Sequence, residues 1–114
     1  MTTAVFDPTA AMERVRKMAD TIVARFKPER LILFGSYARG TAGPDSDADF
    51  LVVMRPSGTK RQATIEIGAA LAHAGLAKDI VVATPDEVDM LRNTPGTIIA
   101  PALAEGVVMY ERAA

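Results

Sequence analysis

The chain has 114 residues, 49% hydrophobic and 24% charged, which is the balance of one folded globular domain over 1–114 rather than of a disordered or membrane chain. Thirteen Lys and Arg against fourteen Asp and Glu leave a net charge of -1, which argues against a nucleic-acid backbone as direct partner. The absence of cysteine and the single histidine, His73, exclude disulfides, thiolate sites and histidine-rich metal sites, so carboxylates are the remaining metal-ligand set.

Met1 to Thr9 lacks a basic segment followed by an apolar core, and no run approaches the ~18 apolar residues of a membrane span, so a cytoplasmic protein is expected. Asp7-Pro8 predicts a helix start, with Asp7 as cap and Pro8 at the first helical position. Met12, Val15, Met18, Ile22, Val23 and Phe26 then recur at helical spacing to about Lys27, and Pro28 ends the run. Leu31 to Phe34 is too short for a helix and reads as a buried strand ended by Gly35. Phe50 to Met54, entered through Asp47-Ala48-Asp49, has the uninterrupted apolar character of a central strand. A second helix is expected from Thr59 to Ala74, with Ala63, Ile65, Ile67, Ala70, Leu71 and Ala74 apolar and Gly75 closing it. Lys78 to Ala83 reads as a third strand. Thr84-Pro85-Asp86-Glu87 caps a short helix to about Arg92. A last helix is expected over Thr94 to Ala104, bent or broken at Pro101, before a final strand at Val107 to Tyr110. This order predicts an α+β, α/β-like fold: a mixed sheet packed with helices.

The chemistry concentrates between the first two strands. Gly35-Ser36 follows an apolar strand, and glycine there permits a sharp turn that exposes backbone N–H groups to an anion. Alternation along a strand puts Asp47 and Asp49 on one side of an extended segment. Two carboxylates so close raise at least one pKa unless a cation neutralises them, and Mg²⁺ prefers such oxygen ligands. Asp79, at the entrance of the third strand, is the third candidate ligand. Arg39, between Ser36 and Gly40, is assigned to a phosphate or carboxylate contact. Taken singly, each has an ordinary reading: Gly35 as a strand end, Ser36 as a cap, Pro44 to Asp47 as an acidic turn, Asp79 as a partner for Lys78. Their combination points to a nucleotide site. His73 is given no catalytic role, and Glu66, Asp86, Glu87 and Asp89 read as exposed helix faces.

Gly35-Ser36, a ten-residue spacer, then Asp47-Ala48-Asp49 opening an apolar strand resembles the minimal nucleotidyltransferase family of the DNA polymerase β superfamily, in particular its antitoxin members. The resemblance extends from about Leu31 to Ala83. It implies the nucleotidyltransferase fold, with Gly35, Ser36 and Arg39 binding the nucleotide and Asp47, Asp49 and Asp79 binding Mg²⁺, as two ions, and carrying catalysis. Such ions, about 3.5–4 Å apart, stabilise both the entering and the leaving oxygen of an in-line displacement. It further implies ATP as substrate and AMP transfer to a tyrosine hydroxyl of a HEPN-type ribonuclease toxin that this chain neutralises as antitoxin. About thirty residues follow Ala83, so the acceptor surface is expected from another molecule. Two alternatives stand beside this: transfer to a small molecule of aminoglycoside type, and a non-catalytic toxin-binding antitoxin module.

Overall fold

Asp7 opens the first helix, α1 (Pro8–Phe26), by accepting the Thr9 and Ala10 N–H groups at 3.0 and 3.3 Å. Lys27 closes it in the left-handed region at φ 49°, and Pro28 prevents its continuation. The structure, a computed structural model, describes residues 5–113, so Met1 to Ala4 of the Met1 to Thr9 stretch lie outside the described residues. The remaining elements are β1 (Arg30–Phe34), α2 (Ser36–Arg39), β2 (Ala48–Val53), α3 (Lys60–Ala70), β3 (Lys78–Ala83), α4 (Pro85–Leu91), α5 (Ile99–Glu105) and β4 (Val107–Glu111).

The four strands form one mixed sheet in the order β3-β2-β1-β4, with β2 antiparallel to β1 and parallel to β3. Both faces are covered, which explains why the strands read as continuous apolar runs. On one face Val15, Met18 and Ile22 of α1 and Ile67 of α3 pack against Leu31, Leu33, Phe50 and Val52. On the other, Val88 of α4 and Ile99 and Ala102 of α5 cover Ile32, Phe34, Leu51 and Val53. Each fully buried aliphatic or Phe side chain contributes roughly 1.5–3 kcal/mol, so the central strand β2 is held firmly from both sides.

Several sequence expectations need correction. The turn after Gly35 is itself a one-turn helix, α2, too short to show any periodicity. The helix expected to reach Ala74 ends at Ala70. Leu71 to Ala74 continue as turns that keep Leu71 in the core, and Gly75 takes its positive φ of 74° beyond them. Ile65 does not join the apolar stripe but is 61% exposed: two residues from Ala63 and Ile67 turns it about 200° round a helix. The last helix starts at Ile99 rather than Thr94. Pro101 therefore falls in its first turn, where the missing N–H breaks no helical bond, and no bend is required. The final strand pairs with β1, so the chain's last strand closes the sheet edge opposite β3.

Candidate active site

The end of β1 and the beginnings of β2 and β3 meet at one end of the sheet. Phe34 stands opposite Asp49, and Asp49 stands opposite Asp79 in the parallel pair. Opposed residues of neighbouring strands share a face, so Asp49 and Asp79 project together, on the same side as Leu51 and Val53 and hence as α4 and α5. Asp47 comes two residues earlier, just before the strand, delivered by a turn in which Ser46 donates its N–H to Gly43 at 3.1 Å and its hydroxyl accepts the Gly43 N–H at 2.9 Å. Buried Ala48 between the two acids donates its N–H to the Ala77 carbonyl at 2.8 Å, tying this segment to the loop that leads into Asp79.

Gly35 is required by geometry as well as by conformation. Its φ of 75° and ψ of -155° fall where L side chains are strained, and a Cβ there would lie 2.1 Å from Asp49 Oδ2. The backbone of Gly35 is thus the wall against which the Asp49 carboxylate rests. Ser36 is the first residue of α2, which is closed by Gly40 at φ 75°, its N–H donating to the Ser36 carbonyl. The first N–H groups of so short a helix have no carbonyl partner within it and remain donors for an oxyanion.

Asp47 and Asp79 are exposed and Asp49 is half-buried. Burial, then the neighbouring charges of Asp79 and Asp47, hold the Asp49 carboxyl above the usual carboxylate range, and Arg39 opposes this. Arg39 itself stands 3.9 Å from the carboxylate of Glu105 on α5, a residue with no motif or spacing that connects it to the site. Both are half exposed, so this pair contributes little energy, and the guanidinium stays available to an anion. Of the acids read as exposed helix faces, Asp86 meets Arg55 at 3.2 Å, Glu87 meets Lys60 at 2.7 Å and Asp89 meets Arg92 at 3.1 Å, while Glu66 accepts from Gln62 at 3.4 Å. Among the described residues, Asp47, Asp49 and Asp79 have no such cation within 4.0 Å.

A divalent cation fits this donor set. The acids repel one another enough to raise the proton affinity of Asp49, all offer hard oxygen atoms, and a bound cation would reverse that repulsion. Among the described residues no three acidic or imidazole side chains form a ready-made metal cluster. Mg²⁺ does not demand one, since it commonly binds through one or two carboxylates with substrate phosphates and water completing its shell.

The nucleotidyltransferase domain family matches residues 15–98, a span that includes Gly35, Ser36, Arg39, Asp47, Asp49 and Asp79. No curated protein matches the chain. Among solved structures it is similar to a toxin–antitoxin structure containing AMP-PNP, at 19% identity and a TM-score of 0.56 over 85% of this chain and 73% of that one. It is also similar to a protein from Sulfolobus solfataricus described as a nucleotidyltransferase, at 20% identity and a TM-score of 0.56 over 92% of this chain and 84% of that one. Both share the mixed-sheet fold. With most of its length matched, the chain belongs to the nucleotidyltransferase domain family.

Proposed function

We propose that this nucleotidyltransferase uses Mg²⁺ to transfer AMP from ATP to a tyrosine hydroxyl of a HEPN-type ribonuclease toxin, and so acts as that toxin's antitoxin. The observation that carries the reading is the packing of Asp49 against the Gly35 backbone in a register that also sets Asp79 beside it. One end of the sheet then offers anion donors and an unneutralised group of carboxylates side by side. That a toxin–antitoxin structure with AMP-PNP shares the fold supports the choice of nucleotide and partner.

Asp47, Asp49 and Asp79 would hold the metal, which supplies charge neutralisation on the phosphates. Gly35 and Ser36 receive phosphate oxygens on their backbone N–H groups, and Arg39 contributes positive charge on the same side. The acceptor oxygen bonds to the α-phosphorus as the bond to the bridging oxygen breaks and pyrophosphate leaves. Asp79, exposed at the strand entrance, takes the hydroxyl proton. Positioning and charge neutralisation supply most of the rate in phosphoryl transfer, and the same economy applies at the α-phosphate.

The test is incubation with ATP labelled at the α-phosphate, Mg²⁺ and a HEPN-type toxin, taken from the adjacent gene where that gene encodes one. Label should appear on a toxin tyrosine, disappear with EDTA, and be absent with Asp47→Asn or Asp49→Asn. Equal labelling by those variants refutes the catalytic assignment. Label passing to an aminoglycoside without the toxin would move the reading to small-molecule transfer. Toxin neutralisation by the double Asn variant would move it to a binding module.

A further inference from the structure

A second chemical environment lies on the opposite face of the sheet from the carboxylates. Between α1 and the turn that follows α3 is a cleft of about 430 Å³, within the range of small-molecule sites. Arg14, Lys17 and Thr21 line one side at spacings of three and four residues, which sets them along one stripe of α1, and His73 lines the other. Its floor includes buried Met18 and Leu71. Among the described residues no acidic side chain lines it. Arg14 and Lys17 make no ion pair among the described residues. Thr21 already donates its hydroxyl proton to the Lys17 carbonyl at 3.0 Å. The free donors are therefore the guanidinium, the ammonium and the imidazole, and an apolar surface lies beneath them.

We propose that this cleft binds a small phosphate monoester with an aliphatic body, at a site separate from that of the nucleotide. The phosphate is the group that satisfies several cationic donors at once, with Arg14 able to bond two of its oxygens. The body is aliphatic because Met18, Ala70, Leu71 and Ala74 offer dispersion contacts and, among the described residues, no Phe, Tyr or Trp lines the cleft. The site adjoins the nucleotide end through the chain itself. Gly75, close to Arg14 Nε, begins the short loop whose Ala77 carbonyl binds Ala48 and which leads into Asp79.

The full chain, free of Mg²⁺, can be titrated with n-butyl phosphate while its NMR resonances are followed. Saturable shifts are expected at His73, Leu71 and Met18, with Gly35 and Ser36 unmoved. Inorganic phosphate should bind more weakly, because it leaves the apolar floor unused. The double variant Arg14→Gln/Lys17→Gln, at two exposed positions, should weaken butyl phosphate at least about tenfold while the melting curve is retained. Absence of saturable shifts, shifts confined to Gly35 to Gly40, or an unchanged affinity in the double variant would overturn the proposal. ADP binding in the cleft as tightly as butyl phosphate would overturn the aliphatic assignment.

Discussion

Replacing Gly35 by Ala tests the packing on which the candidate site rests, because two separable costs arise at one position. The first is conformational: φ 75° with ψ -155° is a region that only glycine occupies readily, and forcing an L residue into it costs about 1–3 kcal/mol. The second is steric, since the new Cβ would sit 2.1 Å from Asp49 Oδ2. That oxygen is the tip of a side chain, so the carboxylate swings away, at about 0.5–1.5 kcal/mol if it leaves its preferred rotamer. The sum is about 1.5–4.5 kcal/mol, and at roughly 2.1 cal/mol/K of unfolding entropy per residue this lowers Tm by about 6–19 °C. Gly40 is the control. Its φ is also 75°, but nothing lies within 4 Å of a Cβ there, so Gly40→Ala should cost only about 1–2 kcal/mol. Thermal and urea melts of both variants give the difference directly. Adding Asp49→Ala to Gly35→Ala should return the steric part, and the double-mutant cycle measures the coupling between the two positions. In the labelling assay Gly35→Ala should lose far more transfer than its stability loss explains, because the displaced group is Asp49. Gly35→Ala melting no lower than Gly40→Ala, with no coupling to position 49, would refute the contact.

The raised pKa of Asp49 makes a prediction of definite sign. Between the ordinary value of 3.8 and its raised value the folded state binds more protons than the unfolded one, so this group's contribution to stability falls as pH climbs through that window. In EDTA, Asp49→Asn should flatten the pH dependence of the melt above pH 4 and leave the protein at least as stable as wild type at pH 7 while abolishing transfer; lower stability at pH 7 would contradict the repulsion. The Tyr37 side chain, in a residue only 7% exposed, has a hydroxyl with no hydrogen-bond partner among the described residues. Tyr37→Phe should therefore raise stability by about 1 kcal/mol, and a loss of that size in a urea melt would reveal a partner for the hydroxyl. Mg²⁺ with a non-hydrolysable ATP analogue at a hundred times its Kd should stabilise wild type by about 2.7 kcal/mol, or about 11 °C. The Asp47→Asn/Asp49→Asn variant should show no such shift, and an equal shift would place the nucleotide elsewhere.

The parts of the fold that were legible in the sequence are those fixed by local rules. Asp7-Pro8 and Thr84-Pro85 announced their helices because capping is decided within four residues, and Thr84 and Glu87 do form the reciprocal box. The strands were legible because a sheet covered on both faces writes itself as a continuous apolar run. What escaped depends on neighbours distant in sequence. The end of α3 at Ala70 could not be placed, because Leu71 and Ala74 face the core whether the backbone there is helical or turned. Pro101 requires a bend or break only in a helix begun at Thr94; in the first turn of α5 the same residue is favourable.

The candidate site divides along the same line. Gly35, Ser36, Asp47, Asp49 and Asp79 are recognisable as residue types, each with an ordinary alternative. What distinguishes these acids from others in the chain is only visible in three dimensions. Asp86, Glu87 and Asp89 each have a cation within 3.2 Å, two of them contributed by the segment that follows β2. The strand-entrance acids face one another instead, and the nearest guanidinium, that of Arg39, is drawn towards Glu105. Among the described residues other acids also lack a cation, but these three are held close enough that Asp79 and Asp47 raise the proton affinity of Asp49, which rests against a glycine. A structural role would be served better by Asn at position 49, which would keep the shape and remove the repulsion. The charge at Asp49 works against its own ionisation, and under the proposed function it is the charge that would hold a metal ion.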